Sequence, residues 1–241
     1  MGDEAERVLD EMETLYRTGN QGLKPDVMTF TNVIHCIALS QGNDALEKAL
    51  AFLNRMEDLH ANGFGDIRPN LFTYNCVINC AAKSKRPGKA NLALKILRRM
   101  ESVALRPATA SFNSVINACA FSSHDDDPKV VLQIALDALR EAQDGPGANW
   151  ISYQTVLRVV CTFEQDERER WHLTRDIFRK CCKDGQLTRT VLTQAKFAVS
   201  SAEYAFLRDE ACEKRTGKLR DTYTANAKRS KIAPATRRVA V

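Results

Sequence analysis

The stretch Thr29-Phe30-Thr31-Asn32-Val33-Ile34 decides the fold, because its pattern returns three times along the 241-residue chain. A hydroxyl residue is followed by an aromatic residue, two further residues of which the first is polar, and then two aliphatic residues. The later copies are TYNCVI at 73–78, SFNSVI at 111–116 and SYQTVL at 152–157. The aromatic and aliphatic residues are three and four places apart, which is the spacing of one face of an α-helix. The hydroxyl residue then stands at the helix start, where its oxygen can accept a hydrogen bond from a free backbone N–H.

A second apolar block follows each of the first three copies, and it also has helical spacing. It covers 49–56, 93–100 and 135–142, and a weaker form ends near Cys181 in the fourth copy. A basic residue and a proline close the units at 24–26, 68–70 and 106–108, whereas the closure at 147–149 has no proline. These closures are 38 to 44 residues apart, so the loops vary in length while the helical blocks stay constant.

Each unit therefore predicts an antiparallel pair of helices whose apolar surface is covered only when neighbouring pairs stack. We expect an all-α fold, a right-handed α-solenoid whose first helices line the concave side. The predicted parts are an incomplete repeat over 1–26, repeats over 27–70, 71–108, 109–149 and 150–187, one capping helix over 188–211 and a basic flexible tail over 212–241. Residues 1–26 match only a second helix, so we expect either a fragment or an incomplete gene model.

Charge is concentrated at one end of the chain. The net charge is +5, but residues 208–241 carry ten Lys or Arg against four Asp or Glu, so the remainder is close to neutral. The tail either binds phosphates or is simply solvated, and the sequence leaves both open. No apolar run is long enough for a membrane helix, so we expect no membrane association. The acidic N-terminus is unlike a targeting segment.

The cysteines and the acidic cluster favour structural roles. Eight cysteines occur without any C-x-x-C pair, and Cys36, Cys80, Cys119 and Cys161 lie about two turns into first helices. We interpret them as reduced packing residues and expect no metal site. The acids at 125–127 precede Pro128, which is typical of a solvated helix start. No catalytic constellation is present, so we expect a protein that is not an enzyme and needs no cofactor.

The repeats resemble the pentatricopeptide repeat family over about residues 5–187, in their opening, middle and closing blocks. Gly22-Leu23-Lys24-Pro25-Asp26 closes a unit and Val27 to Phe30 opens the next, as in that family. The tetratricopeptide family has the same architecture, but its Trp-Leu-Gly-Tyr pattern is not visible.

The resemblance implies one base of single-stranded RNA per repeat, bound by residues at fixed places. The fifth and last residues of a unit read the base edge, and these are Thr31, Asn75, Asn113 and Gln154 with Asp26, Asn70, Ala108 and Asn149. The second residues lie between bases, and these are Met28, Phe72, Ala110 and Ile151. Amide and hydroxyl groups can match an unpaired base edge, and apolar side chains can stack on bases.

The family's code implies a short base preference. Thr31 with Asn70 implies adenine, Asn75 with Ala108 a pyrimidine, and Asn113 with Asn149 cytosine, so we expect 5′-A-pyrimidine-C-3′. Gln154 has no clear partner. A lysine that the family often places near the phosphates is present only as Lys83, where the other units have Leu39, Phe121 and Thr162.

The expected function is sequence-selective binding of single-stranded RNA in organellar RNA processing, stability or translation. The family places it in the mitochondrion or chloroplast, with other RNA-processing proteins as further partners and no small-molecule substrate. Two alternatives remain open. The concave side can instead hold a peptide, as in a protein scaffold, or the chain can be an RNA endonuclease.

Overall fold

The structure is a computed structural model that describes residues 2–40, 42, 44–123 and 126–213. Over these residues the chain forms α-helices joined by short loops, without a strand. The helices are α1 Gly2–Arg17, α2 Val27–Ser40, α3 Ala45–Ala61, α4 Leu71–Lys83, α5 Lys89–Ser102, α6 Thr109–Ala120, α7 Pro128–Asp144, α8 Trp150–Phe163, α9 Glu167–Lys183, α10 Arg189–Ala198 and α11 Ser201–Glu213. Short 3-10 turns at Gln21–Leu23 and Gly65–Ile67 precede α2 and α4.

The helices form two layers, and the repeat decides which layer each helix joins. The even-numbered helices, here called first helices, pack side by side from α2 to α10. Each odd-numbered helix, here called a second helix, packs on the first helices that adjoin it in the chain. This arrangement is an α-solenoid of helical hairpins, and it confirms the fold predicted from the repeats.

The core lies between the layers and is built from the repeated apolar positions. The aromatic residue of the motif is buried in all four units, as Phe30, Tyr74, Phe112 and Tyr153. The second blocks contribute fully buried residues such as Leu53 and Met100. Burying one such side chain contributes about 1.5–3 kcal/mol to folding, so the repeated pattern itself supplies the driving force for stacking.

Ion pairs join most of the consecutive second helices. Glu13 of α1 pairs with Arg55 of α3, and Glu57 of α3 pairs with Arg99 of α5. Pairs of the same kind join α5 to α7 through Arg98 and Glu141, and α9 to α11 through Arg179 and Glu210. The described residues contain no such pair between α7 and α9.

The first helices begin two residues earlier than the hydroxyl of the motif. The residue that closes the preceding unit is the N-cap: Asn70 Oδ1 accepts from Thr73 N at 3.0 Å, and Asp26 Oδ1 accepts from Thr29 N at 2.8 Å. The motif hydroxyl bonds back to the N-cap residue, since Thr73 Oγ1 accepts from Asn70 N at 3.2 Å. The motif hydroxyl therefore accepts from a backbone N–H, as predicted, but that N–H belongs to the N-cap residue, so the two residues form a reciprocal capping box.

The C-terminal region contains two helices where a single capping helix was predicted over 188–211. The backbone is extended at Val199, and a new helix starts because Ser200 and Glu203 bond each other's backbone N–H groups at 2.9 and 3.4 Å. Helix α10 packs on α8, and α11 packs on α9 and α10. The chain therefore ends its described part in a fifth hairpin. The predicted basic tail lies outside the described residues from 214 onward.

The cysteines of the first helices contribute to packing. Cys76, Cys80 and Cys119 are buried, and burial raises the pKa of the Cys119 thiol to about 12. Burial also raises the pKa of Cys76 and Cys80 to about 11. Thiols with such values stay protonated near neutral pH. Within the part of the chain described here, no helix has both the length and the apolar character needed to span a bilayer.

Candidate functional site

One side of the first helices, largely exposed to solvent, carries the second and fifth residues of the four repeats, which are the predicted base-stacking and fifth-place reading residues. We call it the first-helix face and define it by the second, fifth, ninth and thirteenth residues of each repeat. Side chains spaced by three and four residues lie on the same side of a helix. These residues are Met28, Thr31, His35 and Leu39; Phe72, Asn75, Asn79 and Lys83; Ala110, Asn113, Asn117 and Phe121; and Ile151, Gln154, Arg158 and Thr162.

The second residues of the repeats are exposed although most of them are large and apolar. Met28 is 53% exposed, Phe72 50% and Ile151 41%, and Ala110 is also exposed. The Phe72 ring lies against His35 of the preceding unit, with ring centroids 5.9 Å apart. Apolar side chains repeatedly held in solvent at one edge of the stack provide flat contact area for a ligand.

The fifth and last residues of the third unit meet directly, although they are 36 positions apart. Asn113 Nδ2 donates to Asn149 Oδ1 at 3.2 Å, and Ser152 Oγ donates to Asn113 Oδ1 at 2.6 Å. Asn149 Oδ1 also caps α8 by accepting from Ile151 N and Ser152 N. Within the described residues the Asn149 side-chain nitrogen donates no hydrogen bond, so its two N–H groups remain for a ligand.

Thr31 departs from the expected exposed row of fifth residues. Its side chain is fully buried, and its Oγ1 lies 2.8 Å from Oγ1 of Thr73. Thr73 Oγ1 in turn donates to Asn70 Oδ1 at 3.1 Å, so Thr31 reaches Asn70 only through Thr73. The short, branched threonine can turn its hydroxyl toward the next helix, whereas the longer amides of Asn75 and Asn113 extend to partial exposure.

Asn75 lacks the partner that Asn113 has. The equivalent of Asn149 in the second unit is Ala108, which has no side-chain acceptor and makes no side-chain cap for α6. Asn75 Oδ1 is buried without a hydrogen-bond partner. An unpaired buried carbonyl oxygen costs about 1–3 kcal/mol, so the second unit has an unsatisfied amide in the place where the third has a closed network.

Gln154 is partly exposed, and the structure supplies the closing residue that the sequence analysis missed. Thr188 caps α10, with its Oγ1 accepting from Val191 N at 3.3 Å. Thr188 occupies the closing position of the fourth unit, as Asn149 does in the third. The threonine at a helix start was visible in the sequence, but the repeat pattern that would have identified it fades beyond residue 187.

The first helices carry no acid, which distinguishes them from the second helices. Neither Asp nor Glu occurs in α2, α4, α6, α8 or α10, all of which the structure describes in full. Every second helix contains at least one acid. On the first-helix face the only full charges are the cations of Lys83 and Arg158, and both residues are exposed. A surface of this kind does not repel a polyanion.

The ninth residues of the units form a further row that sequence reasoning did not identify. His35, Asn79 and Arg158 are exposed, and Asn117 is partly exposed. They follow the fifth residues by four positions, about 6 Å along the helix axis. That constant spacing was the pattern from which they could have been found.

The acidic cluster at 125–127 is part of a loop and a helix start. Asp126 Oδ1 accepts from Gly88 N at 2.6 Å, and Asp127 Oδ1 accepts from Lys129 N at 2.9 Å to cap α7. Asp125 lies outside the described residues. In the described part of the chain, no three His, Cys, Asp or Glu side chains come together in a way that could hold a metal ion.

Comparison with known proteins identifies a family and similar solved structures. The family described as "Pentatricopeptide repeat domain" matches residues 7–84 and 64–120. The crystal structure of the pentatricopeptide repeat protein PPR10 in complex with an 18-nt psaJ RNA element is similar, with 18% identity and a TM-score of 0.46. The match covers 93% of this chain and 36% of that one, so this chain spans about a third of its length. The search of curated proteins gives no match.

Proposed function

Since this chain belongs to the pentatricopeptide repeat family, we propose that it binds single-stranded RNA along the first-helix face, with about one base per repeat. The observation that carries the proposal is the charge arrangement of the two layers. Among the described residues, all the acids within α-helices lie on second helices, and the first helices present amides, exposed apolar side chains and cations. Amides recognise base edges and apolar side chains stack on bases, whereas carboxylates would repel phosphates.

Each base is read by the fifth residue of one unit together with the last. In the third unit the Asn113–Asn149–Ser152 network fixes the two amides before any ligand arrives, which reduces the entropy lost on binding. In the first unit Thr31 is buried, so reading there falls mainly to the amide of Asn70. Asp26 takes the same place ahead of the first unit. The proposed preference is 5′-A-pyrimidine-C-3′ over the first three units.

The second residues separate the bases. Met28, Phe72, Ala110 and Ile151 lie at equivalent places of consecutive first helices, so they form a row beside the reading residues. Phe72 is the aromatic member and gives the largest contact area. Lys83 supplies a phosphate contact at the end of α4. Few phosphates are neutralised, so affinity depends on base contacts and is about micromolar.

The proposed setting is the mitochondrion or chloroplast, in transcript processing, stability or translation, without catalysis by this chain. RNA-processing enzymes would then be recruited as partners. Crosslinking the protein to RNA in cells and sequencing the bound RNA would identify the transcript and its compartment.

The direct test is binding of a labelled 12-nucleotide RNA that contains one A-pyrimidine-C element, measured by fluorescence anisotropy. Replacing Phe72 by Ala removes a stacking partner, and loss of about 1–3 kcal/mol is expected, which is roughly a 5- to 150-fold weaker Kd. Asn113→Ala should remove the preference for cytosine at the third base. Gln133→Ala on the exposed side of α7 is the control, because Gln133 bonds only Asp137 on its own helix.

The competing outcome is a protein scaffold. A chain that binds no RNA, yet captures a peptide whose affinity is unaffected by Asn75→Ala and Asn113→Ala, would replace the proposal. Cleavage of the labelled RNA with magnesium or manganese would instead indicate an endonuclease.

A further inference from the structure

Arg158 is an arginine of the first-helix face whose charge is not neutralised. Its side chain is exposed, and within the described residues its guanidinium makes no ion pair or hydrogen bond. The arginines that join second helices behave differently, since Arg55, Arg98 and Arg99 each pair with a glutamate. The acid-free first helices offer Arg158 no carboxylate.

The position of Arg158 is nevertheless fixed, because its guanidinium lies over the ring of Phe121. The guanidinium carbon is 4.4 Å from the ring centroid. Phe121 follows α6 and Arg158 lies on α8, so the contact crosses from the third unit to the fourth. Phe121 is itself 48% exposed. A cation over an aromatic face gains about 0.5–1 kcal/mol at an exposed site, which is enough to favour one side-chain orientation.

The geometry points to Arg158, held by Phe121, as the phosphate-binding residue of the third and fourth units. This inference rests on the proposed function and extends it to a residue at the ninth place. The ring covers one face of the guanidinium and leaves its N–H edges free to donate two parallel hydrogen bonds to a phosphate. Arg158 lies about 6 Å along α8 from Gln154, the fourth reading residue, so the base and its backbone can be contacted together.

Lys83 cannot take this role in the same units. It lies at the end of α4 in the second unit, and the corresponding places in the third and fourth units are Phe121 and Thr162. Neither of these side chains carries charge. Phe121 therefore serves the site indirectly, by orienting a cation from the next helix.

The dependence of RNA binding on salt tests this role. Each phosphate contact on a single strand contributes about 0.7 to the slope of log K against log salt concentration. Arg158→Ala in the full chain should lower the slope by about 0.7 and weaken binding severalfold at low salt. Arg158→Lys should keep the slope but not the full affinity. Lysine keeps the positive charge but cannot donate two parallel hydrogen bonds to a phosphate as the guanidinium can. Phe121→Leu should show a smaller loss of affinity.

A control variant and the binding of the wild-type chain separate this inference from the proposed function. Arg140→Ala removes an exposed arginine of α7 that pairs with Asp137 at 3.3 Å, and it should leave both slope and affinity unchanged. If the wild-type chain binds RNA and Arg158→Ala keeps the wild-type slope, the role of Arg158 is wrong while the proposed function stands. If the wild-type chain binds no single-stranded RNA, both are overturned. Circular dichroism of each variant checks that this exposed position is not needed for folding.

Discussion

Replacing Ala108 by Asn should stabilise the chain, because the third unit displays the network that the second unit lacks. Ala108 occupies the N-cap of α6 with φ −95° and ψ 168°, close to the φ −117° and ψ 177° of Asn149. An asparagine fits that backbone and can cap α6. It also offers Asn75 the acceptor that Asn149 offers Asn113.

The expected gain follows from these two contacts. An asparagine cap in place of alanine contributes about 1 kcal/mol. A further hydrogen bond to the partly buried Asn75 amide contributes about 0.5–1.5 kcal/mol. We therefore expect a gain of about 1.5–2.5 kcal/mol, or roughly 3–10 °C in Tm for a chain of this size.

Urea unfolding followed by circular dichroism measures the change in free energy of unfolding. Asn149→Ala is the mirror experiment and should cost about 1–3 kcal/mol, since it removes the cap of α8 and the partner of Asn113. Ala110→Asn makes the same chemical change at an exposed site two residues on, and it should have little effect. An Ala108→Asn protein no more stable than wild type, beside a clear loss in Asn149→Ala, would refute the reasoning.

Three further perturbations have expected outcomes. Iodoacetamide at pH 8 should modify Cys36 well before Cys119 in the folded chain, because Cys119 is buried with a pKa of about 12. Mass spectrometry would measure the two rates, and equal labelling would contradict the burial of Cys119. The pKa of Asp26 is lowered by hydrogen bonds from Thr29, so the stabilisation by its carboxylate is complete above the ordinary pKa and is lost as pH falls through the lowered value. Asp26→Asn should therefore reduce the fall of Tm with pH below about pH 4. If Tm of the variant falls with pH as steeply as that of the wild type, this cap has no such role. Tyr74→Phe should cost about 1–2 kcal/mol in urea unfolding, because the hydroxyl donates to Glu57 at 2.6 Å, and a neutral effect would mean that solvent replaces the bond.

The repeats predicted the layers because the buried pattern is local. Phe30 and its equivalents mark the buried side of each first helix, and a period of three and four residues fixes that side without knowledge of the neighbours. The same pattern does not define which residue leaves the helical conformation. The pattern therefore placed the hydroxyl of Thr73 at the helix start without identifying the N-cap, which is Asn70, three residues earlier.

The C-terminal hairpin was missed for a related reason. Apolar residues continue at helical spacing through the break at Val199, so periodicity alone reads one helix. The capping pair of Ser200 and Glu203 was the local pattern that marks a new start, and it outweighs continuity of spacing.

In the candidate site, the sequence predicted the positions of the side chains but not their burial or orientation. Asn113 and Asn149 could be assigned to one cluster from the family resemblance. The burial of Thr31 depends on a hydroxyl 42 residues away, in Thr73, and the orientation of Arg158 depends on the ring of Phe121 in the preceding unit. Such contacts between units are set by packing, which a repeat register does not encode.

The contacts between consecutive second helices differ in kind along the stack. Four of its joints are held by opposite charges, which added salt screens where they are exposed. The joint between α7 and α9 is instead bridged by the Tyr153 hydroxyl, which accepts from Gln143 at 2.7 Å and donates to Asp184. Rising ionic strength should therefore loosen the other joints and leave this one as the stiffest segment. We therefore expect the packing between neighbouring second helices to vary with the salt concentration of the surroundings.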